Sequence, residues 1–386
     1  MTGEAIRQYA QAVAPRYLLA GKKGKGSILD EFCEVTGHHR KAAIRLLRRR
    51  ESVPKVGLGR PREYEGAVVD ALRLVWEASD CTCAKYLAPV VGMYVTQMEV
   101  HGEIELEPQV RARLLKMSAS TMDRLLGPFR RSGLRRPYTH RKSPAALKAL
   151  IPIRTFGEWE GVKPGSLQID LVAHCGESTE GTYLWTLNSV DVATGWNDLE
   201  AIVGKTRERV GTGVHLIRQR VPFEVKEIHT DNGSEFINEF LYPWCKKEGI
   251  GFTRGRPYKK NDQAYIEQKN WQVPRRFIGY DRYSTKAAGE QMKRVYEPIR
   301  LYVNFFQPVS KLVSKERDGA KVKKKYDRPR TPYQRLLETD ALDDTKREEL
   351  KRRYAGLNPV KLLAQIHREL DALWKLMDKP KMANAT

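Results

Sequence analysis

No run of about 18 apolar residues occurs in this 386-residue chain, so no membrane-spanning helix is expected. Met1 to Ala20 hold no basic stretch followed by an apolar block and a small-residue cleavage site, and the protein is expected to stay in the compartment where it is made. Cysteine is scarce: five residues, at 33, 81, 83, 175 and 245, are odd in number and irregularly spaced, which excludes a disulfide scaffold and fits a reducing cytoplasm. Cys81 and Cys83, with His38 and His39 as distant partners, lack the Cys-x2-Cys and His-x3-His spacings of structural zinc, so buried small thiols are the expectation. No internal repeat is visible. Acid is in deficit as well: 47 Asp plus Glu face 69 Lys plus Arg, a formal +22. That imbalance points to a polyanionic partner, with no membrane among the partners.

What is present is organised in blocks. Ile28, Leu29, Phe32 and Val35 form an apolar stripe, Thr36-Gly37 breaks it, and His38 opens a second helix. Arg40, Lys41, Arg45 and Arg48 lie outside that helix, so residues 1–56 read as a helix-turn-helix DNA-binding module; an ordinary helical hairpin with a solvated charged face fits the same residues. Residues 57–62 cannot continue a helix and carry Arg60 and Arg62, suited to a narrow minor groove as well as to a linker. Residues 63–136 read as a second all-α module, with helices over 64–79, 82–100, 107–117 and 121–131 and positive charge at its end, Arg124 included. Residues 137–160 mix proline and basic residues and read as a linker.

The pattern then changes. Strand-like runs over 167–172, 182–192 and 196–203 are followed by a helix over 206–220, a strand over 225–230, a helix over 234–248, a strand over 250–254 and a long helix from about Asn261. Three antiparallel strands followed by alternating helix and strand is the ribonuclease H-like order, an α/β core over 161–308. Residues 309–386 form a basic region ending in two helical stretches, 332–337 and 345–377.

Three acids stand out. Asp170 interrupts an apolar strand, Asp231 ends the fourth strand at a glycine turn, and Glu267 lies on the long helix. A charge buried without a partner is costly, and a cation is a common remedy. An oxygen-only donor set suits magnesium or manganese rather than zinc, and two such ions serve in-line phosphoryl displacement without a protein nucleophile. His229, two residues before Asp231, is expected to be structural rather than a proton carrier, and turn or capping roles explain Asp191 and Asp262. Glu235 and Asp262 are the alternatives should one of the three fail. Lys259, Lys260 and Lys269 are candidates for phosphate contacts.

The segment Thr230-Asp231-Asn232-Gly233-Ser234-Glu235-Phe236, with 35 residues between Asp231 and Glu267, resembles the second-aspartate motif of retroviral integrases and related insertion-sequence transposases. Gln168-Ile169-Asp170-Leu171 resembles their first-aspartate strand, and the run from Tyr258 to Glu267 their glutamate-bearing helix. Further segments, Ile28 to Phe32, Ile151 to Thr155, Gly279 to Tyr283 and Lys325 to Arg335, are similar to bacterial insertion-sequence transposases of the ISNCY type. The resemblance implies an integrase-like core, Asp170, Asp231 and Glu267 as catalytic metal ligands, two Mg2+ with Mn2+ as substitute, and double-stranded DNA, as terminal repeats and as target, for substrate. It also implies a homo-oligomer when two ends are synapsed, work at the bacterial nucleoid, and a DNA-facing position for Asn270. Trp271 and Pro274 depart from the basic residues that follow in integrases, and Pro274 is expected to kink the helix. Two rival functions are a regulatory DNA-binding protein without chemistry and a hydrolytic nuclease of the same fold.

Overall fold

The computed structural model describes residues 3–48, 63–130, 159, 161–231, 233, 235–256, 260–319 and 321–378. The chain divides into two units at Glu63/Tyr64. The first holds α1 (Gly3–Leu19), α2 (Lys22–Thr36) and α3 (Arg40–Leu47). Ile28, Leu29 and Phe32 of α2 meet Ala10, Val13 and Tyr17 of α1 and Ala43 and Leu47 of α3 in a small core of their own. Gly37 ends α2 with φ 69°, a left-handed C-cap, and the His39 side chain accepts from the Lys41 amide to start α3. The sequence reading of this region leaves α1 out.

The second unit begins with α4 (Ala67–Ala78), α5 (Ala84–Leu87), α6 (Val91–Val100), α7 (Pro108–Lys116) and α8 (Ala119–Leu126). Read from sequence as a module apart, these helices bury their apolar faces in the same continuous core as the sheet that follows. Tyr302 Oη donates to the Ala78 carbonyl at 2.7 Å, and Asn358 Nδ2 to Glu103 at 2.6 Å, so polar bonds as well as packing join them to later segments. The turn after α4 puts Asp80 and Cys81 at φ 54°. It leaves Cys81 and Cys83 exposed rather than buried, and of the five thiols only Cys245 is buried.

The sheet comprises β1 (Ser166–His174), β2 (Leu184–Asp191), β3 (Asn197–Val203), β4 (Glu227–Thr230) and β5 (Gly251–Arg254), with α9 (Arg207–Arg220) and α10 (Leu241–Lys247) between β3 and β5. Strand order is β3-β2-β1-β4-β5; β1 to β3 are antiparallel, and β4 and β5 run parallel to β1. α9 lies on one face, where a Cβ on Gly213 would stand 2.7 Å from Leu187 Cδ2, so a larger residue there would displace that buried side chain. α11 (Ala264–Asn270) and α12 (Lys286–Phe305) cover the other face, α12 through Asn304 against Asn197 and α11 through Asn270 against Asn188.

Several elements differ from the sequence reading for identifiable reasons. The helix expected over 234–248 is confined to Leu241–Lys247, because Asn238 Oδ1 accepts from the Phe240 and Leu241 amides, both at 2.9 Å, and holds the preceding segment in turns. The long helix expected from Asn261 starts as a 3-10 turn and, where Pro274 has no amide to give, widens into a π-helical turn over Trp271–Arg275. The last stretch is two helices, α14 (Asp344–Ala355) and α15 (Pro359–Trp374), because Asn358 caps the second and Pro359 opens it. α13 (Pro332–Leu337) occupies its expected place. The basic segment before it folds as a two-stranded hairpin of β6 (Leu312–Asp318) and β7 (Lys321–Tyr326), which alternation in the sequence does not announce.

Candidate active site

β1 sets the site. Side chains two apart on a strand share a face, so Gln168 and Asp170 both point to the side covered by α11. Gln168, fully buried, donates to the Asp262 carbonyl and accepts from the Ile266 amide, both at 3.1 Å, and thereby clamps the start of α11 one residue before Glu267. In the parallel pairing of β1 with β4, Gln168 aligns with His229. The same register continued two residues sets Asp231, the first residue after β4, level with Asp170.

Asp170 is half-buried, while Asp231 and Glu267 are exposed. The Asp170 carboxylate accepts from its neighbour's amide, Leu171, at 2.8 Å and from Asn270 Nδ2 at 2.7 Å. Its pKa is pushed up to about 7, first by burial, then by the negative charge of Asp231 and, more weakly, of Glu267, against the pull of those two hydrogen bonds. Asp231 and Glu267 therefore both act on Asp170, Asp231 more strongly than Glu267. Among the described residues, no three His, Cys, Asp or Glu side chains stand close enough as placed to hold a metal ion. The donor set itself fits a hard divalent cation, since mutually repelling carboxylates are the groups such an ion draws together.

Asn270 does not stand alone. Asn197 Nδ2 donates to Asn188 Oδ1 at 2.6 Å, Asn188 Nδ2 to Asn270 Oδ1 at 2.8 Å, and Asn270 to Asp170. Asn304 on α12 anchors the far end by pairing with the Asn197 backbone in both directions, at 2.8 and 2.7 Å. This run of four amides from α12 to Asp170 is invisible to motif reading, because its members come from four elements.

The neighbouring acids have other work. Asp262, fully buried, accepts from the Arg256 amide and guanidinium at 2.9 to 3.0 Å. Asp191 accepts from Gly165 and Thr194 at the β2 turn, and Asp198 pairs with Arg220 at 2.7 Å. Glu235 lies beside Asp231 across Gly233, where an added Cβ would stand within 3 Å of both carboxylates, and it pairs with Lys205 at 3.4 Å. His229 is buried, bonded to Thr253 at 2.9 Å and edge-on to Trp159.

The candidate DNA contacts scatter. Arg40, Lys41, Arg45 and Arg48 are on or next to α3, Arg40 paired with Asp30. Arg124 is on α8. Arg60, Arg62 and Lys259 lie outside the described residues, and Lys260 belongs to the 3-10 turn before α11. Lys269 is not on the surface: it is 5% exposed, and burial pushes its ammonium down to about 8.

The "Integrase core domain" family model matches residues 163–260, the segment from just before β1 to the 3-10 turn ahead of α11. The chain is 40% identical over 333 residues to the "Uncharacterized protein y4rM" of Sinorhizobium fredii (strain NBRC 101917 / NGR234), covering 85% of this chain and 94% of that one. Two solved structures are also similar. The catalytic core domain of BIV integrase is 21% identical, with a TM-score of 0.28, over 45% of this chain and 94% of that one. The HTLV-2 integrase catalytic core domain, in complex with magnesium in a dimeric form, is 13% identical, with a TM-score of 0.30, over 39% of this chain and 93% of that one. The family assignment stands on the first two likenesses: the chain belongs to the integrase-core (rve) superfamily, in one family with the Sinorhizobium fredii protein y4rM.

Proposed function

We propose that the chain is a DNA transposase that binds the ends of its own insertion sequence, cuts them and joins their 3′ hydroxyls to target DNA. The observation that carries this reading is the convergence on Asp170 of the β4 end bearing Asp231 and the helix bearing Glu267, both of which act on its charge, in an integrase-type core. Bound by these carboxylates, two magnesium ions, with manganese as substitute, supply the Lewis acidity that in-line phosphoryl displacement needs at both the attacking and the leaving oxygen. The HTLV-2 core in complex with magnesium supports that choice of metal.

The chain's own residues do the rest. Asn270 and the Leu171 amide fix the rotamer of Asp170, and Gln168 fixes the start of the helix bearing Glu267. The three-residue connection between α2 and α3 supports reading this unit as a helix-turn-helix, in which Arg45 and Arg48 make phosphate contacts. Oligomerisation accompanies synapsis of two ends. The test supplies labelled DNA from the borders of the element, unlabelled target and Mg2+. Joined products support the transposase reading, nicking alone replaces it with a nuclease, and binding without reaction replaces it with a regulator.

A further inference from the structure

α11 has two working faces. At about 100° per residue, Glu267 and Asn270 look towards Asp170, while Tyr265, Gln268, Lys269 and Gln272 fall on another side. That second side lines a cavity of about 310 Å3, bounded by Val190 and Val192 at the end of β2 and by Val309, Leu312 and Tyr326 at the β6–β7 hairpin. Lys269 reaches it with 5% of its surface exposed, and among the described residues it has no hydrogen-bond or ion-pair partner.

An ammonium buried without a counter-charge lowers stability, and an apolar side chain of the same length would pack there at no such penalty. Among the described residues nothing compensates it, which leaves a bound ligand to do so. Arg256, Lys311 and Lys324 add positive charge to the lining and no acid does, so the ligand carries an anion. Arg256 is committed to Asp262, and Lys311 to the carbonyls of Val192 and Ala193, which leaves Lys269 as the enclosed cation with a free donor. Apart from the neutral polar Gln268, Gln272 and Ser310, the remaining walls are apolar side chains and tyrosine rings, suited to a flat heterocycle, and the volume is at the small end for ligand sites, too small for a duplex.

We infer that this cavity binds one nucleoside phosphate, with the phosphate on Lys269 and the base between the end of β2 and the β6–β7 hairpin. Two sources share that chemistry: a nucleotide turned out of a bound DNA strand, or a free mononucleotide. Only the first rests on the transposase reading.

The experiment uses the full chain carrying Glu267→Gln, so that binding is read with the proposed chemistry removed and its failure is separable from failure of the catalytic proposal. Calorimetry with dAMP, with deoxyadenosine and with inorganic phosphate reads the free source. 2-Aminopurine placed in turn at each terminal position of the end duplex reads the strand source. Binding of dAMP stronger than that of either fragment, or a fluorescence rise at one position, is expected. Lys269→Met and Ser310→Trp, which narrows the cavity from the hairpin side, should each weaken that signal by about tenfold or more. Lys269→Met should at the same time leave the melting temperature unchanged or raised. The inference is overturned if neither probe gives a signal, if the signal survives in both variants, or if Lys269→Met lowers the melting temperature, which would make the lysine structural.

Discussion

Asn188→Leu is the sharpest perturbation of the proposed site, because it removes the centre of the amide run while keeping side-chain size. Asn188 is fully buried, accepts from Asn197 and donates to Asn270. After substitution Asn197 Nδ2 keeps its 2.6 Å bond to the Ser189 carbonyl, so it is not stranded. Asn270 Oδ1 is. Two lost bonds at about 1 kcal/mol each, plus about 1 to 2 kcal/mol for one orphaned acceptor, total about 3 to 4 kcal/mol. At about 1.5 °C per kcal/mol for a unit the size of Tyr64–Thr386, that lowers the melting temperature by roughly 4 to 6 °C. Asn270, released on one side, then holds Asp170 less firmly, and loss of such a supporting bond weakens metal binding by about 10- to 100-fold. The assay is strand joining against magnesium concentration, where the half-maximal Mg2+ should rise by that factor. Asn270→Ala removes the bond to Asp170 directly and strands the buried Asn188 Nδ2, so it should give the same Mg2+ shift at a similar cost in stability and serves as a second, independent variant. If both variants join DNA at the wild-type Mg2+ requirement, the amide run does not position Asp170.

His174 gives a pH test. It is buried beside Thr186, and desolvation first, then Arg275, pushes its pKa down from 6.5 to about 3. The unfolded chain therefore binds a proton that the folded one refuses between those values, so stability is fully present above pH 6.5 and falls as pH drops towards 3, by up to about 1.4 kcal/mol per pH unit. His174→Gln should shed that part of the acid sensitivity, and unfolding curves that stay parallel to wild type from pH 7 to 4 would contradict the assignment. Replacing Arg45 and Arg48 together with alanine should weaken binding to end DNA and flatten its salt dependence by up to about two phosphate contacts. An unchanged slope of log affinity against log salt would remove α3 from the interface.

The sequence carried the core well where period and punctuation agree. Strands over 167–172 and 196–203, the helix from Thr206 and the Thr36-Gly37 break all correspond to elements of the structure. Gln168 and Asp170 alternate visibly, so their common face was legible. α12, absent from the sequence reading, is legible there all the same, since Ala288, Met292, Val295, Ile299 and Tyr302 recur at helical spacing. Other features could not be read at all. Lys269 looks like any surface lysine until the hairpin closes over it, and that hairpin has too many lysines on both faces to show a buried side. The merging of residues 64–130 with the sheet is a matter of long-range packing, as in the bond from Tyr302 to Ala78, which local patterns do not encode.

The central claim is that Asp170, Asp231 and Glu267 together bind the metal ions for strand transfer. Its most direct measurement compares Asp170→Asn, Asp231→Asn and Glu267→Gln with wild type on a labelled end duplex, target DNA and Mg2+ or Mn2+, with end binding and melting temperature measured in parallel. Each substitution removes one negative charge at nearly constant size, so end binding and folding should persist while cleavage and joining both fall by orders of magnitude. Normal joining by any one variant would show that its residue is not a required ligand, and normal joining by all three would contradict the account.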